Sequence, residues 1–252
     1  MSLLEVTGIV KRFAGITALN GIGLDVEPAE IVGLIGPNGA GKTTLFNCLC
    51  GLLHPDGGKV AFDGVDITGL PVHRRARLGI GRTFQRMELF PGMTVLDHLL
   101  VADRARRGEG GLIADLSLQG RARPDELERA RATLAQVGLE GDGDRYVEAM
   151  TLGRGRLVEL ARALMTQPRL LFLDEPSSGL DRDETARMTD VLEQLREERG
   201  LGILLVEHDV EMVDRVTSRV YVLDQGTLIA SGPTAEVFAD ARVREAYLGD
   251  LV

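Results

Sequence analysis

Hydrophobic residues alternate with polar ones over the first thirty residues of the chain, and glycines interrupt the pattern. The pairs Leu4 and Val6, then Leu24 and Val26, have the two-residue period of strands that bury one face. Residues 59–64 repeat this pattern further along the chain. The N-terminal part is therefore predicted to form short antiparallel strands.

Three continuous apolar runs, in contrast, are typical of strands that are buried on both faces of a sheet. They cover residues 31–35, 170–173 and 203–206. The first run enters a glycine-rich loop and a helix expected over about residues 42–49, and an amphipathic stretch over residues 183–199 connects the other two. This order predicts a βαβ crossover in an α/β fold with a mixed, mainly parallel sheet.

Between about residues 86 and 151 the strand pattern disappears and helical spacing replaces it. A helix is predicted to begin at Pro124, because proline is favoured at the first helical position and acidic residues follow it in the first turn. The chain is interpreted as a single domain, with a helical lobe over about 86–151 inserted between core segments at about 1–85 and 152–252. The arginines of the lobe form a solvated face in the simplest interpretation, with contact to a partner as the alternative; they are Arg104, Arg106, Arg107, Arg121 and Arg123.

The composition narrows the classes of function. The 252 residues are 44% hydrophobic and 27% charged, and the formal net charge of −9 argues against a broad electrostatic contact with nucleic acid. No apolar run approaches the roughly 18 to 20 residues that a membrane-spanning helix needs. We therefore expect a cytoplasmic protein that does not bind nucleic acid.

The glycine-rich loop after the first apolar run carries the most specific chemical motif. Residues 36–43 read Gly-Pro-Asn-Gly-Ala-Gly-Lys-Thr, which matches the P-loop pattern of two glycines five apart followed by Lys and Thr. Such a loop closes its backbone N–H groups around phosphates at a helix N-terminus. Lys42 is expected to reach the β- and γ-phosphates of ATP, and Thr43 to hold Mg²⁺.

The other two apolar runs end in ionisable residues. Residues 170–173 lead into Asp174, expected to orient Mg²⁺ through its water shell, and Glu175, expected to polarise the attacking water. Residues 203–206 lead to His208, whose strand is expected to lie beside the P-loop, so that a contact with the γ-phosphate is favoured over a purely structural hydrogen bond. The three motifs together predict ATP hydrolysis.

These motifs resemble those of the ABC-transporter ATPase family over essentially the whole chain. The resemblance implies a P-loop NTPase core with an N-terminal antiparallel β subdomain and an inserted helical lobe. It also implies that Phe13, which alone would more often be a core residue, stacks on adenine, and that Gln85 contacts the metal and the water. The nucleotide-binding residues expected on this basis are Phe13, Gly36, Pro37, Asn38, Gly39, Ala40, Gly41, Lys42, Thr43 and Thr44; Lys42, Gln85, Glu175 and His208 form the catalytic group, and Thr43, Gln85 and Asp174 surround Mg²⁺.

The resemblance further implies that two ATPase subunits close head to tail around ATP. The loop that meets the second subunit corresponds to Ser178, Gly179, Leu180 and Asp181. The family's signature, usually Leu-Ser-Gly-Gly-Gln, falls at residues 150–154, which read Met-Thr-Leu-Gly-Arg before a helix expected over residues 155–164. Thr151, Gly153 and Arg154 would contact the nucleotide of the other subunit. The altered signature leaves a degenerate or regulatory subunit with weak ATPase activity as the alternative.

A narrower resemblance is carried by residues 36–47, 82–96, 206–209 and 246–249. These segments are similar to the larger ATPase subunit of branched-chain amino acid uptake systems. The likeness implies import of branched-chain amino acids or related small solutes. It implies as partners a homologous second ATPase subunit or a second copy, two membrane-spanning permease subunits at the inner face of the cell membrane, and indirectly a periplasmic or extracellular solute-binding protein.

Two other classes of P-loop protein fit the sequence less well. ATPases of this family that act in DNA repair or translation have long coiled-coil insertions or tandem domains, which the compact chain lacks. P-loop kinases and GTPases are disfavoured because no guanine-reading Asn-Lys-x-Asp stretch occurs and because Glu175 and His208 favour hydrolysis.

Overall fold

The computed structural model describes residues 2–83, 88–107, 122–241 and 243–244. Its strands are β1 (Leu4–Phe13), β2 (Ile16–Val26), β3 (Ile31–Ile35), β4 (Gly57–Phe62), β5 (Val65–Asp66), β6 (Ile80–Arg82), β7 (Leu170–Asp174), β8 (Gly202–Val206), β9 (Arg219–Asp224) and β10 (Thr227–Pro233). Its α-helices are α1 (Lys42–Cys50), α2 (Val72–Arg77), α3 (Val95–Arg107), α4 (Pro124–Gln136), α5 (Leu152–Met165), α6 (Arg182–Arg199), α7 (Val210–Val216) and α8 (Thr234–Ala239). A helix with the length and apolar character to cross a bilayer does not occur within these ranges.

The N-terminal strands form an antiparallel sheet, as predicted. Its order is β2-β1-β4-β5, and Leu4 pairs with Val26 while Val6 pairs with Leu24. Both pairs are buried, which explains the alternating pattern of the sequence. The prediction of short strands was wrong, because β1 has 10 residues and β2 has 11. The register along β1 shifts at several positions, and such irregularities increase the local twist of a strand.

The second sheet has the order β10-β9-β3-β8-β7-β6. Strands β6, β7, β8, β3 and β9 run parallel to their neighbours, and β10 pairs with β9 in the antiparallel sense. The predicted crossover is confirmed, since α6 links the adjacent parallel strands β7 and β8. Strand β9 was not predicted, although residues 220–223 form an apolar run of the same kind as the other buried strands. Strands β3, β6, β7, β8 and β9 all end at one side of the sheet, called here the carboxyl edge.

The parallel strands are continuously apolar because helices or the first sheet cover both of their faces. Leu171 and Leu173 of β7 belong to a core cluster with residues of α3 to α6. Their neighbours Leu170 and Phe172 belong to a second cluster, with α1 and the antiparallel sheet. The site at the carboxyl edge is thus built on strands that are fixed from both sides.

The predicted helix at Pro124 is confirmed as α4, which packs with α3 against α5. The interpretation of the arginines as a solvated face was wrong for Arg104 and Arg107. Arg104 lies 3.2 Å from Glu126, and Arg107 lies 3.1 Å from Asp103. Both carboxylates are buried, so the guanidinium groups are needed to compensate their charge. Arg121 lies outside the described residues.

Candidate active site

The carboxyl edge of the parallel sheet brings the predicted chemical groups together. The P-loop follows β3, His208 follows the adjacent strand β8, and Asp174 ends the next strand, β7. Ligands of open α/β sheets bind at this edge. Gln85 would follow β6, the strand beyond β7, but it lies outside the described residues.

The P-loop has the backbone conformation that its glycines allow. Gly36, Gly39 and Gly41 have φ values of +151°, +80° and +106°, all in the region that favours glycine. Gly41 is the N-cap of α1, so the first amides of that helix face the loop. The loop is held to the neighbouring β9–β10 turn, because the Gly226 N–H donates to the carbonyl oxygen of Ala40 at 2.9 Å. Pro37 is half-buried, and Asn38 is exposed.

Lys42 lies folded back over this loop. Its ammonium donates to the carbonyl oxygens of Gly36 at 2.5 Å and Pro37 at 3.0 Å, and the residue is only 8% exposed. Burial lowers the pKa of Lys42 below its ordinary value, against the opposing effect of the Glu175 and Asp174 charges. A phosphate in the loop would give this cation a better partner than two carbonyl dipoles.

The two carboxylates at the end of β7 create an electrostatic demand for a cation. Asp174 is 6% exposed, and burial followed by the charge of Glu175 raises the pKa of Asp174 to about 6. Within the described residues no cluster of three or more His, Cys, Asp or Glu side chains could hold a metal. A carboxylate and a hydroxyl, as on Asp174 and the exposed residue Thr43, are oxygen ligands of the kind that Mg²⁺ prefers, which otherwise keeps phosphate and water in its shell. Thr44 follows at the same end of α1 and is half-buried.

Glu175 is held in an uncommon backbone conformation. Its φ is +49°, which is rare for a residue other than glycine. Its N–H donates to the Val206 carbonyl oxygen at 2.8 Å, and its own carbonyl accepts from the Ser178 N–H at 3.1 Å. The turn leaves the side chain half-buried just beyond the end of β7. Strain of this kind persists when surrounding contacts fix the backbone, and it is common at active sites.

His208 is well placed to reach a ligand, since its side chain is 60% exposed. Its backbone N–H donates to Oε2 of Glu207 at 2.9 Å. Glu207 itself is fully buried, and its carboxylate also accepts from the Ser177 N–H at 2.8 Å. Glu207 was not among the predicted site residues; the signal that could have found it is a carboxylate placed directly after a buried apolar strand, where a charge needs partners.

Phe13 is not a core residue, because it is 43% exposed at the tip of the β1–β2 hairpin. It pairs with Ile16 across the hairpin, and Lys11 Nζ lies 5.5 Å from the centre of its ring. Strand β2 then passes the P-loop, since a Cβ placed on Gly41 would lie 2.9 Å from the Ala18 carbonyl oxygen. The exposed ring thus lies at the end of β1, on the hairpin whose second strand, β2, borders the P-loop.

The signature segment, residues 150–154, leads into α5 earlier than predicted. The helix begins at Leu152, not at residue 155, because Thr151 is its N-cap and accepts a hydrogen bond from the Arg154 N–H at 3.3 Å. Gly153 consequently lies in the first turn. The Arg154 guanidinium pairs with Asp142 of its own chain.

A carboxylate of the same chain occupies the donors of the signature segment. Glu184 Oε1 lies 3.1 Å from the Thr151 hydroxyl oxygen and 3.3 Å from the Gly153 nitrogen, and both groups donate to it. Glu184 belongs to the first turn of α6, where its N–H donates to the N-cap residue Asp181 at 2.8 Å. The sequence shows no sign of this contact, which depends on the tertiary packing of α5 beside α6.

The predicted dimer loop, residues 178–181, connects β7 with α6. Ser178 binds the Glu175 carbonyl, and Asp181 caps α6. Gly179 has a φ of +79°, and a Cβ placed there would lie 2.9 Å from the Leu152 side chain of the signature segment. Leu180 is half-buried. Within one chain, therefore, the loop joins the carboxylates at the end of β7 to the signature segment.

Comparison with known families gives two matches. A family model described as ABC transporter matches residues 19–178. A second model, described as branched-chain amino acid ATP-binding cassette transporter, matches residues 227–251. The first match includes the P-loop, the carboxylates of β7 and the signature segment.

Individual relatives match along nearly the whole chain. It is 41% identical over 251 residues to the high-affinity branched-chain amino acid transport ATP-binding protein LivG of Escherichia coli (strain K12), with 98% of each chain covered. It is 36% identical over 250 residues to the lipopolysaccharide export system ATP-binding protein LptB of Haemophilus influenzae, covering 99% of this chain and 98% of that one. A solved structure of an ATP-binding cassette of an ABC transporter superposes with a TM-score of 0.87 and 32% identity, covering 98% of this chain and 99% of the other.

Proposed function

Since this chain belongs to the ABC transporter family, as one of its ATP-hydrolysing, ATP-binding subunits, we propose that it powers an importer of branched-chain amino acids or related small solutes. The observation that carries the proposal is the 41% identity, over 98% of the chain, to a branched-chain amino acid transport protein. The C-terminal match over residues 227–251 supports the same solute class. Identity to the lipopolysaccharide export relative is lower, at 36%.

ATP is proposed to bind with its adenine against Phe13 and its phosphates in the loop from Gly36 to Gly41. Lys42 then leaves the carbonyls of Gly36 and Pro37 for the β- and γ-phosphates. Thr43 and Asp174 would hold Mg²⁺, with Gln85 as a further ligand. The metal would neutralise charge that develops on the transferring phosphoryl group.

Hydrolysis is proposed to use Glu175 and His208. Glu175 polarises the attacking water, and His208 holds the γ-phosphate from the adjacent strand. Because water is the only nucleophile, the contribution of these residues is positioning and electrostatic stabilisation. The exposure of His208 and the fixed backbone of Glu175 support these roles.

Two subunits are proposed to close head to tail around ATP, with Thr151 and Gly153 of one subunit on the γ-phosphate bound by the other. In the single chain both donors bind the Glu184 carboxylate, so closure requires them to leave it and bind the γ-phosphate instead. The dimer loop lies between the catalytic carboxylates and the signature segment, which supports a link between hydrolysis and opening. Arg154 contributes to its own subunit through Asp142 rather than to the shared site.

The proposed assembly contains a second ATPase subunit, homologous or identical, and two membrane-spanning permease subunits that hold the chain at the inner face of the cell membrane. A periplasmic or extracellular solute-binding protein delivers the solute. The helical lobe, about residues 86–151, would carry closure to the permeases. A degenerate, weakly active subunit finds no support in the relatives, and the presence of Glu175 and His208 speaks against it.

Solute uptake by the native host tests this proposal. Deleting the gene for this chain should abolish high-affinity uptake of labelled leucine, isoleucine and valine, and the wild-type gene but not its Glu175→Gln variant should restore it. Amides, urea and aromatic amino acids measured in parallel would define related solutes. Normal uptake of all of these in the deletion strain would refute the proposed solute class, while ATP hydrolysis by the purified chain would still stand.

A further inference from the structure

Glu207 connects the two loops that carry the proposed catalytic side chains. Its Oε1 accepts from the Ser177 N–H, at 2.8 Å, in the loop after β7. Its Oε2 accepts from the N–H groups of His208 at 2.9 Å and Asp209 at 3.2 Å, in the loop after β8. The carboxylate is fully buried, so these bonds are not exchanged with water.

The bond to Ser177 acts on the strained turn at Glu175. A residue with a φ of +49° keeps that conformation only while its surroundings fix it. The Glu175 N–H donates to the Val206 carbonyl oxygen, and the Ser178 N–H donates to the Glu175 carbonyl oxygen. Between them, the Ser177 N–H donates to the Glu207 carboxylate. Glu207 therefore supplies one of the contacts that fix the direction of the Glu175 side chain.

The bonds to His208 and Asp209 act on the other loop. They fix the backbone directly after β8, where the His208 side chain departs toward solvent. Asp209 also caps α7 by accepting from the Met212 N–H at 3.0 Å, so the loop is held at both ends. One carboxylate thus defines the position of both loops relative to each other.

We propose that Glu207 is a positioning residue for ATP hydrolysis, which sets the geometry of Glu175 and His208 through backbone hydrogen bonds without touching the nucleotide. The inference rests on the roles proposed for Glu175 and His208. Backbone N–H groups make rigid partners, and a fully buried carboxylate keeps them in place throughout the reaction cycle. Binding of ATP is proposed to depend instead on the P-loop and Phe13, whereas the Glu207 carboxylate accepts from the loops after β7 and β8.

Two variants separate positioning from general stability. Glu207→Gln keeps the side-chain volume but places an amide N–H₂ against either Ser177 or the His208 loop, so one set of bonds is lost. Glu207→Asp keeps the charge and can still accept locally from the Asp209 N–H, but it is too short to reach Ser177. Glu126→Gln is the matched control, because Glu126 is also buried and binds a backbone N–H, that of Arg123 at 2.9 Å, within the helical region.

Steady-state ATPase kinetics and thermal unfolding should be measured for the wild type, the two Glu207 variants and Glu126→Gln. We expect Glu207→Gln to lower kcat by roughly 10²-fold, as a misplacement of about 1 Å can, with KM for ATP little changed. Glu207→Asp should lower kcat as well, and Glu126→Gln should lower only the unfolding temperature. Wild-type kcat in Glu207→Asp, or a parallel loss of kcat and ATP affinity in both variants, would overturn the proposal. If Glu175→Gln in the same assay kept wild-type activity, the proposed role of Glu175 would fail first and take this inference with it.

Discussion

Replacing Gly36 with alanine should destabilise the chain far more than the same change at Gly39. Gly36 directly follows β3, and a Cβ placed on it would lie 2.0 Å from the Leu223 carbonyl oxygen of the neighbouring strand β9. Both atoms belong to backbone that the parallel sheet fixes, so neither can move aside without breaking strand pairing. The φ of +151° is also a conformation that alanine rarely adopts.

The expected loss follows from these two effects. Overpacking a rigid site costs about 1 to 3 kcal/mol. Unfavourable backbone dihedrals cost on the order of 1 to 3 kcal/mol. Since about 1 kcal/mol lowers Tm by roughly 2 to 4 °C in a chain of this size, Gly36→Ala should lower Tm by at least about 5 °C.

Gly39→Ala is the matched control in the same loop. Its φ of +80° imposes strain, but an added Cβ would meet no atom within 4 Å. The cost should be about 1 to 2 kcal/mol, and the fall in Tm only a few degrees. Thermal unfolding of both variants without nucleotide, followed by circular dichroism, makes the comparison. Equal Tm values for the two variants would refute the reasoning from the contact with Leu223.

Three further predictions concern the nucleotide, the carboxylates and the signature segment. Phe13→Ala should raise the Kd for ATP by roughly 5- to 150-fold, because stacking on a base contributes about 1 to 3 kcal/mol. Asp174→Asn should stabilise the metal-free chain increasingly as pH rises from about 4 to 7. Burial and the Glu175 charge raise the pKa of Asp174 to about 6, above the ordinary value of 3.8, so the folded wild-type chain loses stability as Asp174 ionises in this window. Asparagine does not ionise, so the variant avoids this loss. Glu184→Ala, made in a hydrolysis-deficient background, should lower the protein concentration for ATP-driven dimerisation by about tenfold, because it frees the Thr151 hydroxyl and the Gly153 N–H, equivalent to one or two hydrogen bonds.

Each of these predictions has a control and a contradicting outcome. Ile16→Ala removes the exposed partner of Phe13 on the same hairpin, and an equal effect of both variants on calorimetric ATP binding would argue against stacking. For Asp174→Asn, urea unfolding in EDTA should show a pH-dependent difference from wild type; a constant difference would contradict the raised pKa. Glu197→Ala removes an exposed carboxylate of the same helix, and dimerisation unchanged by Glu184→Ala relative to it would show that the Glu184 contact does not compete.

The sequence predicted those parts of the fold that local pattern determines. Strand β3 and the P-loop, and the strands β7 and β8, followed from apolar runs and their polar ends, because buried parallel strands admit few polar residues. Strand β9 could have been found in the same way from residues 220–223. The start of α5 was misplaced because Thr151 was considered as a phosphate ligand and not as an N-cap.

Tertiary contacts of charged residues account for what the sequence could not predict. The pairing of Glu184 with the signature segment and of Glu207 with Ser177 joins residues 30 or more positions apart, without a spacing rule to indicate them. The arginines of the helical region likewise were predicted to be solvated, because the sequence does not show that Asp103 of α3 and Glu126 of α4 are buried beside them. Burial of the carboxylate decides the contacts of Glu207 and of the arginines, whereas Glu184 is only half-buried and its contact follows from the packing of α5 beside α6.

The most direct test of the account compares Mg-ATPase activity of the purified chain with that of its Glu175→Gln variant, together with size-exclusion chromatography of both in ATP. We expect the wild-type chain to hydrolyse ATP, whereas the variant should be inactive and elute as a dimer only when ATP is present. A variant that hydrolyses ATP at the wild-type rate would contradict the assignment of Glu175 as the catalytic carboxylate and, with it, the proposed site.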